Sequence, residues 1–206
     1  AHYAQLAHAG TEGVTLYMET YDKDTYDKVH LSGKKKDYLY RLDALERAGR
    51  TGIRRLTCGV LLGLSDWRFD VVWLALHAKY LEKTCWQSVI SLSFPRLKHT
   101  PPRFKVPHLV NLEKLVQIIT AMRLFLPYSP FNLSTRESAE VRDHLIPLGI
   151  TSMSAGSSTR PGGYKVYQDT TTSQRPVLEQ FEIDDHRTVE EVVSAIKAQG
   201  YDPVWV

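Results

Sequence analysis

The sequence predicts an α/β fold with a parallel β-sheet, on the basis of three observations. Short apolar runs rich in β-branched residues alternate with amphipathic segments of helical spacing. One such pair recurs about every 35–45 residues, which is compatible with a series of βα units. Polar tips follow the apolar runs directly, as they do at the carboxyl ends of parallel strands. With 206 residues, the chain is long enough to bury one large core.

Five strands are predicted from apolar runs that Gly, Pro or polar residues bring to an end. They cover residues 13–18, 53–62, 89–94, 131–134 and 149–153. A short strand is also predicted at Phe181-Glu182-Ile183, and residues 203–206 form a last apolar run. Five or six such units are fewer than the eight of a complete barrel. Either the sheet is open and doubly wound, or part of the protein is missing from the sequence.

Helices are predicted from apolar residues at helical spacing and from capping residues at their first turns. They cover residues 2–9, 37–51, 66 to about 82, 111–125, 137–147 and 187–199. Ser65 or Asp66 is predicted to cap the third of these helices, and Asp184 or Asp185 precedes the last. Residues 22–36 are polar and are predicted to form a long loop that acts as a functional lid. Residues 159–176 are polar, contain Gly and Pro, and are predicted to be mobile.

The composition argues against several classes of function. A formal net charge of +3 is too small to indicate nucleic-acid binding, and the lysine run 34–36 is typical of a solvated loop. Cys58 and Cys85 lie far apart without a CxxC or His-Cys cluster, so no metal site is predicted in this chain. No apolar stretch of about 20 residues is present to span a membrane. A reduced, cytoplasmic protein is expected, and the first residue, Ala1 rather than Met, indicates a trimmed or partial chain.

Polar residues cluster where the predicted strands end. The tips contain Glu19, the glycines of 59–63, Ser93 to Arg96, Ser134 to Glu137 and Ser154 to Ser157. Because parallel strands end at one rim of the sheet, a carboxylate, two arginines and several hydroxyls are expected to converge there. Arg binds a carboxylate bidentately, and Glu accepts from an ammonium group or a ribose hydroxyl. The rim is therefore predicted to bind a zwitterionic ligand.

Arg96 and Arg136 directly follow strand tips, and Ser93 and Ser134 precede them. Each pair offers a guanidinium and a hydroxyl to one ligand carboxylate. Alternatives stay open for single tips: a surface loop at Arg96, a helix N-terminus at Glu137 and a small-residue turn at 154–157. One of the two arginines could also be a structural partner of Glu137 or Asp185. Polar tips at successive strand ends favour a shared site over any one of these alternatives.

Short motifs that carry a family resemblance are spread over nearly the whole chain. They are LYMETYD at 16–22, SGKKKDY at 32–38, RLDALERA at 41–48, LLGLSDW at 61–67, SLSFPR at 91–96, LSTRE at 133–137, SAGS at 154–157 and PGGY at 161–164. Together with the closing segment from Gln180 to Trp205, they resemble the radical SAM tyrosine lyases of thiamine biosynthesis, the 2-iminoacetate synthases (ThiH type). The combination is highly specific for that family.

One departure from the family pattern is large. Family members carry an N-terminal CxxxCxxC motif that holds a [4Fe-4S] cluster, and this sequence has no such motif. By resemblance, the chain is the C-terminal part of a radical SAM (β/α)8 TIM-type barrel, starting just before the fourth strand. Residues 1–158 would form βα units of that barrel. Residues 159–206 would form a mobile loop, a helix and a strand that close it.

The resemblance implies the activity of a carbon–carbon lyase. The intact enzyme would cleave S-adenosylmethionine reductively to a 5′-deoxyadenosyl radical, which abstracts hydrogen from tyrosine. The Cα–Cβ bond then breaks, giving 2-iminoacetate (dehydroglycine) for thiazole formation, and p-cresol. Implied cofactors are S-adenosylmethionine and a [4Fe-4S] cluster whose ligands lie outside this chain. Implied partners are the thiazole synthase subunit and an electron donor such as flavodoxin or ferredoxin. The 206 residues alone would bind no cluster and would be inactive.

Site residues divide into two groups. By resemblance, Glu19 binds the ribose or amino group of S-adenosylmethionine, and Arg41 pairs with its carboxylate. Tyrosine binding is assigned from the rim instead, to Ser93, Arg96, Ser134, Arg136 and Ser157. Two other functions remain open. One is the related tyrosine lyase of hydrogenase maturation, disfavoured because no cysteine follows Cys85. The other is a non-catalytic half-barrel that binds a partner chain through its open edges.

Overall fold

The computed structural model describes residues 2–98, 100, 104–159 and 182–205. Their strands form one sheet, in which every neighbouring pair is parallel. The strands are β1 (Gly13–Glu19), β2 (Arg55–Val60), β3 (Val89–Ser93), β4 (Phe131–Leu133) and β5 (Ser152–Met153). Their order in the sheet is the order in the chain. A doubly wound sheet reverses its strand order at a switch point, whereas a (β/α)8 barrel does not. The structure therefore confirms the prediction of an α/β chain with part of a barrel sheet.

Helices connect successive strands. They are α1 (His2–His8), α2 (Lys23–Val29), α3 (Tyr38–Leu42), α4 (Ala44–Gly49), α5 (Trp67–Thr84), α6 (Leu112–Phe125), α7 (Ala139–Leu145) and α8 (Val189–Ala198). Short 3-10 turns cover Lys34–Lys36 and Ile146–Leu148. Asp66 and Asn111 cap α5 and α6 as side-chain acceptors, and Thr188 and Glu191 form a capping box on α8. None of the helices in these described stretches is both long and apolar enough to cross a membrane.

Several predicted elements differ from the structure. Residues 22–36 are not one loop, because Asp22 caps helix α2 and the fully buried Tyr26 anchors it against the carbonyl of Lys35. The helix predicted over 37–51 is two helices that meet at Asp43. Helix α8 begins at Val189, two residues after the predicted start, and Thr188 caps it. Residues 182–183 and 203–205 are not in strands, which corrects the strands predicted there, and the loop predicted at 159–176 lies outside the described residues from 160 onwards.

The two faces of the sheet have opposite chemistry. Leu56, Cys58, Leu92 and Phe131 alternate along the strands and are fully buried against α4, α5 and α6. The residues between them on the strands point to the other face, because successive strand side chains alternate. On that second face lie Tyr17, Thr57, Gly59, Ser91, Ser93, Asn132 and Ser152. We call it the polar face, and it carries the candidate site.

Candidate functional site

Tyr17 crosses the polar face from β1 to β3. Its ring lies over Gly59 of β2, where an added Cβ would come within 2.7 Å of the ring carbon Cδ1. The absence of a side chain at Gly59 therefore lets the ring lie flat across β2. Beyond it, the Tyr17 hydroxyl lies near Ser93 of β3. Burial raises the pKa of Tyr17, and Ser93 and the nearby Arg136 act in the opposite direction, so the phenol stays protonated at neutral pH.

Arg136 lies just after β4 and close to both Glu19 and Tyr17. Burial lowers the pKa of Arg136, and the Glu19 carboxylate and the Tyr17 hydroxyl counteract that effect. The Arg136 backbone N–H donates to Ser134 Oγ at 3.4 Å, and Ser93 Oγ donates to the Asn132 carbonyl at 3.1 Å. Of the residues predicted at the rim, the structure thus brings Glu19, Ser93, Ser134 and Arg136 to one part of the polar face.

Glu19 ends β1 in an unusual backbone conformation. Its φ is +69°, the left-handed region, and it is the one non-glycine residue there among those the structure describes. A register shift between Tyr17 and Glu19 in the pairing with β2 accompanies this turn. The carboxylate accepts a bond from Lys35 Nζ at 3.2 Å. The backbone geometry therefore directs Glu19 differently from a regular strand residue.

Arg41 lies along the free edge of β1. Its Nε donates to the carbonyl of Tyr17 at 3.0 Å, a backbone acceptor on that edge. Arg41 also lines an open cavity of about 660 Å³ together with Lys34, Lys35 and Tyr40. Because Lys35 also pairs with Glu19, the two residues predicted to bind S-adenosylmethionine share a neighbour.

The guanidinium of Arg96 is bound to other groups of the protein rather than presented to a ligand at the polar face. Its Nε donates to Glu137 Oε1 at 2.7 Å, its Nη2 binds Oε2, and its Nη1 donates to the Val110 carbonyl at 3.1 Å. Arg96 and Glu137 are 9% and 3% exposed, so the pair is shielded from water. The prediction that Arg96 binds tyrosine stays a prediction, but these contacts favour a structural role.

A cluster of charged residues stabilises the segments next to the carboxyl ends of β4 and β5. Arg142, fully buried on α7, donates to the Ser154 carbonyl and to Asp185. Arg187 binds Asp185 at 2.8 Å and Asp143 at 2.9 Å. We call Arg142, Asp143, Asp185 and Arg187 the arginine cluster. It fixes the segment that leads to Ser157, which is half-buried beside Gly156.

Sequence reasoning missed Tyr17 as part of the site, although it placed Gly59 among the polar tips. The signal was present, because Tyr17 lies two positions before Glu19 on the strand and so shares its face in a regular strand. A lone Gly inside an apolar run also indicates close approach of another group. Only the three-dimensional register identifies Tyr17 as that group.

Comparisons with known proteins agree with this geometry. Residues 93–202 match the biotin and thiamin synthesis associated domain. The chain belongs to that family. It is 44% identical to the 2-iminoacetate synthases of Salmonella typhimurium strain LT2 and Escherichia coli strain K12, over 99% and 98% of its length. It spans about half of each relative, 52% in both cases.

Solved structures place the biotin and thiamin synthesis associated chain in the same fold as a hydrogenase maturase. A crystal structure of HydG, a maturase of the [FeFe]-hydrogenase, has a TM-score of 0.84 at 34% identity, covering 97% of this chain and 42% of that one. HydG from Carboxydothermus hydrogenoformans has a TM-score of 0.82 at 35% identity, covering 97% and 44%. These matches confirm the resemblance to 2-iminoacetate synthase-type radical SAM proteins.

The described residues of this family member fit one of the two implied cofactors. No group of three His, Cys, Asp or Glu residues that could hold a metal occurs in the described ranges. Cys58 and Cys85 are buried, and burial raises the pKa of the Cys58 thiol to about 12. Cys58 is therefore not suited to bind iron as a thiolate. By contrast, the cavity lined by Lys35 and Arg41 offers cations to a carboxylate such as that of S-adenosylmethionine, and the Glu19 carboxylate is linked to this cavity through its ion pair with Lys35.

Proposed function

We propose that this chain forms part of a radical SAM lyase that cleaves the Cα–Cβ bond of tyrosine. The products would be p-cresol and 2-iminoacetate, which enters thiazole formation in thiamine biosynthesis. One observation carries the proposal: Glu19, Tyr17 and Arg136 converge on the polar face of a chain that matches 2-iminoacetate synthases at 44% identity. Because the chain spans about half of those relatives, the complete enzyme is the object of every activity test.

Arg136 is proposed to bind the tyrosine carboxylate. A carboxylate that leaves water needs a cation and hydrogen bonds, and the partly buried Arg136 supplies a planar fork. Ser93, Ser134 and Ser157 would supply hydroxyls to the same ligand. Arg96 contributes to this proposal only indirectly, because it binds Glu137, the residue that follows Arg136 in the chain.

Glu19 and Arg41 are proposed to bind S-adenosylmethionine. Glu19 would accept from its amino group or ribose, and Arg41 would pair with its carboxylate beside Lys35. Bound S-adenosylmethionine, with a [4Fe-4S] cluster held elsewhere in the complete enzyme, supplies the radical chemistry. The thiazole synthase subunit, a flavodoxin- or ferredoxin-like electron donor and a cytoplasmic location belong to the same proposal.

Replacement of Arg136 by Lys tests the tyrosine site. Lys keeps the charge but loses the bidentate geometry, so in the complete enzyme Arg136→Lys should raise the KM for tyrosine in p-cresol formation. The affinity for S-adenosylmethionine should not change. Arg54→Lys, an exposed arginine before β2, is the matched control. Unchanged tyrosine kinetics in Arg136→Lys would place the substrate carboxylate elsewhere.

The cofactor assignment has its own test. Glu19→Ala and Arg41→Ala should each weaken S-adenosylmethionine binding, by about 1.5–3 kcal/mol for a lost hydrogen bond to a charged group. Equilibrium dialysis with the complete enzyme measures the affinity directly. Wild-type affinity in both variants would remove these residues from the site.

A hydrogenase-maturation tyrosine lyase is the second candidate. The HydG structures share the fold at TM-scores of 0.82 and above. Identity favours the first candidate, at 44% against 34% and 35%. The complete enzyme should support thiazole formation with a thiazole synthase. Failure there, with tyrosine still cleaved, would favour the second candidate, and no turnover at all would favour a non-catalytic half-barrel.

A further inference from the structure

Behind the tip of β1, a carboxylate is buried without a cation. Asp70 of α5 is fully buried, and its Oδ1 accepts from Thr20 Oγ1 at 2.9 Å and from the Tyr21 backbone N–H at 2.7 Å. Its Oδ2 accepts from Ser65 Oγ at 2.7 Å. Among the described residues, no Lys or Arg forms an ion pair with Asp70. We call Thr20, Tyr21, Ser65 and Asp70 the Asp70 network.

The Asp70 network holds the two residues that directly follow Glu19. Glu19 has the left-handed φ of +69°, which a side chain adopts only when its surroundings impose it. On one side, the Glu19 carbonyl accepts from the Leu61 N–H at 2.8 Å. On the other side, Asp70 binds the backbone of Tyr21 and the side chain of Thr20. Together these bonds determine where the Glu19 carboxylate lies.

Burying a carboxylate without a cation costs free energy, and an apolar residue at the same position would be buried at a lower cost. Its three acceptor bonds all go to the tip of β1 and to the loop that follows β2. We propose that Asp70 is a positioning residue, which holds Glu19 in its left-handed conformation and thereby sets the affinity for S-adenosylmethionine. The inference rests on the proposed role of Glu19.

The test measures S-adenosylmethionine affinity and thermal unfolding together, in the complete enzyme. Asp70→Ala should raise the Kd by about tenfold, a difference of about 1.4 kcal/mol. In a Glu19→Ala background the same change should have little further effect, because Asp70 acts through Glu19. Thr20→Val, which removes one bond to Asp70 at nearly constant volume, should weaken binding in the same direction and keeps the test decisive if Asp70→Ala does not fold.

Glu82→Ala is the matched control. Glu82 lies near the other end of α5 and accepts a bond from Ser129 Oγ at 3.0 Å, so its loss should lower the Tm without changing the Kd. A lower Tm with an unchanged Kd in Asp70→Ala and Thr20→Val would overturn the inference. An equal loss of S-adenosylmethionine affinity on Asp70→Ala in the wild-type and Glu19→Ala backgrounds would also overturn it. If Glu19→Ala itself leaves the Kd unchanged, the proposed role of Glu19 fails instead.

Discussion

Two buried carboxylates lie behind opposite ends of the sheet and are stabilised in different ways. Asp70 behind β1 is bound by hydroxyls and a backbone N–H, whereas Asp185 behind β4 and β5 is bound by Arg142 and Arg187. Burial raises the pKa of Asp70. Burial also acts to raise that of Asp185, but hydrogen bonds from Arg187 and the charge of Arg142 hold it at about 2. Both side chains are almost inaccessible to solvent, yet their pKa values shift in opposite directions, and the cations that bind Asp185 account for its lowered pKa.

The difference also separates a rigid region from an adjustable one. The arginine cluster joins α7 to the segment before α8 through several charged bonds, so it acts as a fixed clamp. The Asp70 network relies on hydroxyls that can rotate. The largest consequences of mutation are therefore expected in the arginine cluster.

Arg142→Met should have the largest effect. It removes a charged partner of Asp185 and the donor to the Ser154 carbonyl, leaving a buried acid with Arg187 alone. Breaking a buried ion pair in this way costs about 3–5 kcal/mol in the free energy of unfolding. Urea unfolding measures it. The double change Arg142→Met with Asp185→Leu should recover part of the lost stability. A loss below about 1 kcal/mol for Arg142→Met would contradict the rigid role of the arginine cluster.

Lowering the pH should have opposite effects on the two regions: it should reduce the stabilisation from Asp185 and increase that from Asp70. Because the pKa of Asp185 is about 2 in the fold and near 3.8 in the unfolded chain, its stabilisation is complete above about pH 4 and is lost as pH falls toward 2. Asp70 has a raised pKa, so its contribution falls as pH rises above 3.8. The measurement is the free energy of unfolding from pH 2 to 6. Its decrease at acidic pH should disappear in the double variant Arg142→Met with Asp185→Leu and should persist in Asp70→Asn.

Asp70→Asn should cost less than any change in the arginine cluster core. Asn keeps an oxygen for Thr20 and Tyr21 and offers an amide to Ser65, whose hydroxyl can turn to accept it. We expect a loss of about 1 kcal/mol in the free energy of unfolding, the value of an ordinary hydrogen bond. A loss as large as that of Arg142→Met would show that the two regions do not differ in rigidity.

Asp143→Asn should have the smallest effect. Asp143 binds Arg187 at the exposed edge of the arginine cluster, with 32% of its side chain accessible. Partly exposed pairs contribute up to about 1 kcal/mol, and Arg187 keeps Asp185. A thermal shift assay should find a small decrease in Tm that salt reduces further. A salt-independent loss would assign Asp143 to the buried core of the cluster.

The sequence was sufficient for the five strands of the sheet and for part of the rim, but it left the buried ion pairs undecided. Apolar runs ending in Glu19 and Arg136 predicted strand tips that the structure brings together. Arg96 and Glu137 lie 41 residues apart, and Arg142 and Asp185 lie 43 apart. Such pairings depend on how α7 packs behind the sheet, and no local pattern reports that. The single loop predicted at 22–36 was wrong for a related reason, since one buried residue, Tyr26, anchors a helix within this polar stretch.

The contact of Tyr17 with Gly59 has a consequence for relatives of this chain. A Cβ at position 59 would overlap the ring of Tyr17 and approach the Ser93 carbonyl at 2.7 Å. Positions 17 and 59 are therefore expected to covary. Where a relative carries Ala or a larger residue at the equivalent of 59, a small side chain should replace the aromatic ring at 17, and the β3 backbone should shift away, because the Ser93 carbonyl lies equally close. Such a swap would open space on the polar face for a larger ligand.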